Sequence, residues 1–422
     1  MSAAVQLLVH PRRLAGAPWL TCAATQTVFR VLRNAGWDAR AVGGVVRDVL
    51  LGRAVADVDF ATPATPDVVI AACKAAGLTC IDTGIEHGTV TVVVDGRSFE
   101  VTTLRRDVET DGRHAIVAFT DDWTLDARRR DFTINALYCD ADGTVFDPLG
   151  GYGDVVARQV RFIGSADVRI AEDQLRILRF FRFHAELGSG PVDRVGAGAC
   201  ARGRDGLDRL SRERVRHELL RLLVAERAND AVAALIDYGL LAGLIGSVPR
   251  PGVLRALITA EATARQPADA MLRLSALAVG VEEDMARLAE RLRLSRAEAA
   301  AMLVVDDRLA TTFAGLDASA ARRCLYRIGP ARWRRSCLAA AALARTQSER
   351  SAALAMFALP ASWSIPVLPV RGADVLARGV APGPEVGAIL AQVESWWLAN
   401  DFPAEADVRR HLNDVIDSRQ CG

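Results

Sequence analysis

The spacing of apolar residues changes near residue 163, and that change constrains the fold more than any single motif. Upstream, short runs rich in Val, Ile, Phe and Thr are separated by glycine-bearing turns, the pattern of strands. Downstream, apolar residues recur every three or four positions among arginine and alanine, the period of an amphipathic helix. The two periods are not interchangeable. The chain is therefore expected to be α+β, with a mixed α/β head built on a β-sheet followed by an elongated all-α neck, body and tail. At 422 residues it exceeds one ordinary core. The expected cuts give segments 1–163, 164–245, 246–345 and 346–422. Pro249-Arg250-Pro251-Gly252 and the proline-marked stretch 360–369 are the clearest punctuation in the helical part.

Within the head, 38–42 reads as a strand, Gly43-Gly44 as a turn and 45–51 as a helix. A second strand is expected at 55–60 and a second helix at 66–76. Runs 90–94 and 98–103 flank Asp95-Gly96, a strong hairpin signal. Runs 132–139 and 144–146 form another pair around Asp142-Gly143. The charged stretch 105–126 shows no clear period.

Composition then removes whole classes of chemistry. Lys74 is the only lysine and follows Cys73, so a P-loop with Gly-Lys-Ser/Thr is excluded and lysine Schiff-base chemistry nearly so. Any phosphate must be held by arginine, main-chain amides or metal. A net charge of +1 leaves nucleic-acid affinity to local patches, of which 202–227 and 322–335 are the richest in arginine. The eight cysteines form no C-x-x-C pair, which argues against a disulfide scaffold or zinc ribbon and for reduced cytosolic thiols. Residues 1–20 lack a signal-peptide core. The apolar stretch 231–248 is interrupted by Asp237, Gly239, Gly243 and Gly246, reading as buried helix rather than a membrane span. A cytoplasmic protein is expected. None of the six histidines forms a His-Asp dipeptide, and no Ser/His/Asp or Cys/His grouping stands out.

Two constellations carry chemistry. A Gly43-Gly44 turn between strand and helix lets main-chain amides approach a phosphate, and Arg47 adds a positive charge one helical turn later. Asp57 and Asp59, two apart on a strand, leave one face together, a ready site for Mg²⁺ completed by substrate phosphates. Glu100, on another expected strand, is a third candidate carboxylate, although alone it reads as a surface charge. The second constellation is Asp173 and Arg176, three apart on a helix and so neighbours on one face. An acceptor beside a donor matches the pairing edges of cytosine and adenine and opposes those of uracil and guanine, which would leave a buried charge unpaired. The same segment also fits an amphipathic helix with a solvated arginine face and a Leu175–Leu178–Phe181 core stripe.

The strand, Gly-Gly turn, arginine-bearing helix and following D-x-D resemble the DNA polymerase β-like nucleotidyltransferases. Further motifs are Arg129-Arg130-Asp131…Asn135, Asp147-Pro148…Gly150-Gly151, Glu172-Asp173…Arg176…Arg179…Arg182 and Leu210-Ser211…Glu213-Arg214. With them the chain resembles the class II tRNA nucleotidyltransferases (CCA-adding enzymes) and the bacterial poly(A) polymerases, densely from 42 to 223. The resemblance implies template-independent addition of CCA to the tRNA 3′ end from CTP and ATP, with Mg²⁺ on Asp57 and Asp59. It implies triphosphate and ribose contacts by Arg130 and Asp131, base selection by Asp173 and Arg176 with Glu172 holding Arg176, and nucleotide contacts by Arg179 and Arg182. It also implies that 105–126 is the flexible loop permitting the final switch to ATP. A poly(A) or A-adding enzyme of the same fold is the nearest alternative. A non-catalytic RNA-binding protein is the remote one.

Overall fold

The computed structural model describes residues 8–10, 13–111 and 114–420. It divides into two compact units, residues 1–249 with 290–294, and residues 250–289 with 295–422.

The first unit opens with β1 (Leu8–His10), α1 (Pro18–Thr21), α2 (Ala23–Asn34), β2 (Arg40–Val42), α3 (Gly44–Leu50), β3 (Asp59–Thr62) and α4 (Pro66–Ala75). It continues with β4 (Thr79–Gly84), β5 (Thr89–Val94), β6 (Arg97–Thr103), β7 (Arg105–Asp111), β8 (His114–Phe119), α5 (Trp123–Arg128), β9 (Tyr138–Cys139), β10 (Val145–Asp147) and α6 (Gly151–Val156). Eight strands form one sheet in the order β1-β10-β9-β2-β3-β6-β5-β4, and β7 pairs only with β8. All pairings in the large sheet are antiparallel except β3 with β6.

Strand β5 shows why this sequence makes a sheet. Val90, Val92 and Val94 are buried while Thr89, Thr91 and Val93 are only half-buried, the alternation a one-sided strand requires. Helices α2 and α4 cover that face. Phe60 of β3 packs edge-on against Phe29 of α2 at 4.8 Å. The Asp95-Gly96 turn has φ of +50° and +74°, as a two-residue hairpin demands.

Three expectations are corrected. The strand expected at 55–60 begins only at Asp59, where pairing with β6 starts; Asp57 lies in the preceding coil. The stretch 105–126 contains the β7–β8 hairpin and the start of α5. A bulge between Asp107 and Glu109 shifts its register and interrupts the two-residue period. The run 132–139 opens with a 3₁₀ turn, Thr133–Asn135, before β9. There the Asp131 carboxylate accepts from the Phe132 amide at 2.9 Å and from the Asn135 side chain at 3.0 Å, local bonds that compete with a strand.

Helices α7 (Ala166–Glu172), α8 (Leu175–Leu187), α9 (Arg194–Arg202), α10 (Arg212–Val224), α11 (Ala228–Asp237) and α12 (Leu241–Ile245) complete the first unit's main elements. Helix α8 packs on α10 and α11 and buries Ile177, Leu178, Phe180 and Phe181. Gly239, with φ of +67°, separates α11 from α12.

In the second unit, α13 (Pro251–Thr263) and α14 (Ala270–Ala278) carry the buried pair Glu261–Arg273, 2.6 Å apart. Its main core gathers around Trp333 and Cys337, and a separate cluster around Trp397 and Leu412. Among the described residues no helix is long and apolar enough to cross a membrane.

Candidate active site

A cavity of about 550 Å³ opens in the first unit, lined by eight arginines and three aspartates. One wall comes from the sheet and its turns. Gly43, between β2 and α3, has φ of +75°, and an added Cβ would meet Arg130 and the Asn135 carbonyl at 3.5 Å. Only glycine adopts that conformation without strain. Arg47 on α3 is buried and forks onto Asp48 at 2.9 and 3.0 Å, with its third nitrogen donating to the Asn135 side-chain oxygen, Oδ1.

Asp126 anchors the arginines of the same wall. It accepts from Arg129 at 2.7 Å, Arg130 at 3.1 Å and the Tyr138 hydroxyl at 2.8 Å. Burial alone would raise its carboxyl, but Arg130, Arg129 and Tyr138 hold it below the usual carboxylate range. The Nε of Arg130 is buried without a hydrogen-bond partner in the protein, a donor left over for a ligand.

The opposite wall comes from the α7–α8 junction and α10. Asp173 is not in mid-helix as expected; it caps the end of α7 in an extended conformation, and α8 begins two residues later. Its Oδ1 accepts from the Leu175 amide at 3.0 Å and its Oδ2 from Arg214 at 2.7 Å. Arg176 donates to Glu172 and, at 2.9 Å, to the Arg169 carbonyl, so the expected Glu172–Arg176 pairing is present. Arg179 donates twice to Asp131 Oδ2, at 2.8 and 2.6 Å. Against the burial of Asp131, Arg179 and Asn135 keep its carboxyl low.

Arg182 also borders the cavity, yet only 1% of it is exposed and its guanidinium is committed to Glu218 and, at 2.7 Å, to Glu186. Its ion pairs with Glu218 of α10 and Glu186 of its own helix hold it in the packing layer behind the wall.

Of the expected site residues, Gly43, Gly44, Arg47, Asp59, Arg130, Asp131, Asp173, Arg176, Arg179 and Arg182 line this one cavity, while Asp57 and Glu100 do not. Glu100 is nevertheless the register partner of Asp59 across β3 and β6. Partial desolvation, then Glu100 and Asp57, raise the Asp59 carboxyl to about 6, against the pull of Arg130. Asp59 remains open to solvent, so water screens part of this repulsion and a cation has access. Like-charged carboxylates whose repulsion a cation would relieve fit a divalent metal. Among the described residues no three acidic, histidine or cysteine side chains converge tightly enough to hold one alone, in keeping with a metal that shares its shell with substrate phosphates.

Sequence reasoning did not assign Arg129, Phe183, Arg214 and Arg221 to the site, and all four line the cavity. Arg214 and Arg221 are seven apart, two turns along one face of α10, which is the signal that could have paired them.

Comparison with known proteins matches residues 39–161 to the Poly A polymerase head domain and 197–250 to a probable RNA and SrmB-binding site of polymerase A. The chain is 35% identical over 88% of its length to the mitochondrial CCA tRNA nucleotidyltransferase 1 of Mus musculus, spanning 85% of that protein. It is 40% identical to the CCA-adding enzyme of Geobacillus thermodenitrificans over 54% of this chain and 56% of the relative. Among solved structures, the Bacillus stearothermophilus CCA-adding enzyme in complex with CTP superposes with a TM-score of 0.70 at 28% identity, covering 94% of this chain and 98% of that one. Enzymes of this class generally use divalent metals. The chain belongs to the CCA tRNA nucleotidyltransferase family.

Proposed function

We propose that this protein builds or repairs the 3′-terminal CCA of tRNA from CTP and ATP. The observation that carries this reading is the cavity itself: phosphate-binding chemistry at Gly43, Gly44 and Arg130 faces the acceptor–donor pair Asp173 and Arg176 across one space. The relatives that cover most of the chain are named for this activity. A bound triphosphate takes donors from the Gly44 amide, from Arg47 and from the unpartnered Arg130 Nε; the Gly43 amide already donates to the Leu137 carbonyl. Asp131, held by Arg179 and Asn135, accepts from the ribose 2′-hydroxyl and so favours ribonucleotides. Asp173 accepts from the amino group of cytosine or adenine while Arg176 donates to the adjoining ring nitrogen. Uracil and guanine present the reverse polarity, setting acceptor against Asp173 and donor against Arg176.

Mg²⁺ is the proposed metal, held by Asp57 and Asp59 with Glu100 beside them; when bound it supplies Lewis acidity at the α-phosphate and activates the attacking hydroxyl. The tRNA 3′-oxygen forms the new bond to the α-phosphorus, and the α–β bridge breaks to release pyrophosphate. The arginine-rich segments 202–227 and 322–335 are proposed to hold tRNA phosphates, and the β7–β8 hairpin with α5 to take part in the change from CTP to ATP. A cytoplasmic location is part of the proposal, although the Mus musculus relative is named mitochondrial.

The test offers tRNA ending before CCA, after C, or after CC, with one labelled nucleotide at a time. CMP addition to the first two and AMP addition only to the third is expected. AMP added to every primer would replace this reading with a poly(A) or A-adding activity, and no transfer at all with a non-catalytic one. Asp57→Ala is expected to abolish transfer while tRNA binding survives; retained turnover refutes the metal assignment.

A further inference from the structure

Cys73 and Cys80 stand outside the nucleotide cavity, which no cysteine lines. Cys73 sits in the last turn of α4 and is buried, and Cys80 is the second residue of β4 and half-buried. Helix α4 packs directly on β4, and the two thiols lie close enough for each to perturb the other. The connection that brings them together is rigid. Helix α4 ends with the Ala76 and Leu78 amides both donating to the Cys73 carbonyl, at 3.1 and 2.9 Å, through Gly77 at φ of +71°. This left-handed helix stop reverses the chain directly into β4. The Cys80 side has room to adjust. Among the described residues strand β4 is the sheet's edge, with no neighbour beyond it, and it changes register between Ile81 and Gly84. A half-exposed side chain on such a strand can close the last stretch from thiol contact to a sulfur–sulfur bond.

We propose that Cys73 and Cys80 form a two-electron redox site, which a peroxide closes into a disulfide clipping α4 to the sheet edge without touching the nucleotide cavity. Burial and the neighbouring thiol push Cys73 up to about 12, so the more open Cys80 is the sulfur the oxidant meets first. Peroxide transfers one oxygen to Cys80, giving a sulfenic acid and water. The Cys73 sulfur then attacks the Cys80 sulfur, and the departing hydroxyl leaves with the Cys73 proton as a second water. Two thiols and one hydrogen peroxide become one disulfide and two waters.

The sole lysine makes the test direct. Lys74 lies between the two cysteines, so trypsin places Cys73 on the peptide 54–74 and Cys80 on 75–97, each with no other cysteine. After brief treatment of the full-length protein with hydrogen peroxide, the two peptides are expected to run as one species. Its mass should equal their sum less two hydrogens, and dithiothreitol should separate it. Cys80→Ser must abolish the species. The oxidised protein is expected to melt on the order of 5 °C higher, because the clip restricts the unfolded chain, and to transfer nucleotides within about twofold of the reduced rate, a change of less than half a kcal/mol. Separate peptides, with Cys80 carried on to sulfinic acid and Cys73 intact, overturn the pairing. A loss of transfer that dithiothreitol reverses and Cys80→Ser prevents overturns the separation from the cavity.

Discussion

Replacing Glu218 with leucine removes the main partner of the most deeply buried cation near the site. Arg182 is 1% exposed and is held by Glu218 on α10 and by Glu186 on its own helix. Stranding a buried charge costs roughly 3–5 kcal/mol. Glu186 stays at 2.7 Å and neutralises part of it, which places the loss near the lower end, about 3 kcal/mol. In a unit of this size each kcal/mol moves the melting midpoint by about 2–4 °C, so a fall of about 6–12 °C is expected by calorimetry. The double variant Arg182→Met with Glu218→Leu removes charge and counter-charge together, and most of the loss should return. If the double variant melts as low as Glu218→Leu alone, the buried cation is not the cause. If Arg182→Met instead leaves the melting point unchanged while raising KM for nucleotide, Arg182 contacts substrate and its packing role is wrong.

Four further outcomes are expected. Asp173→Asn turns one acceptor into a donor, so the CTP-over-UTP ratio in single-nucleotide incorporation should fall by about tenfold or more, the value of one charge-assisted hydrogen bond; an unchanged ratio refutes base reading by this residue. Asp59, raised to about 6, must be ionised to hold a cation, so transfer should fade as pH drops through that value and the midpoint should move lower as Mg²⁺ rises. His184 is held down to about 4, by burial first and then by Arg227. Its neutral form is favoured by folding, so stability is complete above its unfolded value near 6.5 and is lost as pH falls from there towards 4, at up to roughly 1.4 kcal/mol per pH unit; His184→Gln should flatten that slope in acid melts. Gly151→Ala would set a Cβ 2.2 Å from the Thr133 carbonyl oxygen, and should lower the melting midpoint measurably through the strain of an overpacked turn.

The parts of this molecule that were legible in the sequence are those with their own period or fixed turn chemistry. The alternating valines of β5, the Asp95-Gly96 turn and the three- and four-residue rhythm of α8 each state their structure locally. Asp57 was misplaced on a strand because strand length is set by neighbours: β3 begins where β6 supplies a partner for Asp59, and no local residue says so. The β7–β8 hairpin escaped because its register shifts between Asp107 and Glu109, which interrupts the two-residue period a strand is recognised by. Asp173 and Arg176 line one cavity, but the helix breaks at Asp173, whose carboxylate accepts from the Leu175 amide and from Arg214, 41 residues away. The seven-residue spacing of Arg214 and Arg221 puts them on one face of α10, but only the packing of α10 on α8 turns that face towards the cavity.

The near-absence of lysine now has a physical explanation at the site. Most cavity arginines already hold an acid: Arg130 with Asp126, Arg179 with Asp131, Arg176 with Glu172, Arg214 with Asp173, Arg221 with Glu186. A side chain in such a place must satisfy a fixed protein carboxylate and still present a donor to the nucleotide. The planar guanidinium has donors on both edges and does both without moving, whereas an ammonium is a single point that one partner occupies. Arg130 shows the division, with NH2 on Asp126 at 3.1 Å and Nε buried and free of protein partners. Arg130→Lys therefore keeps the charge and loses the second function. It should raise KM for both CTP and ATP by about tenfold, the worth of one hydrogen bond to a charged group, while the melting point stays within a few degrees because Asp126 keeps Arg129 and Tyr138. If Arg130→Lys leaves KM unchanged, charge alone suffices at this position and the argument from the guanidinium fork fails.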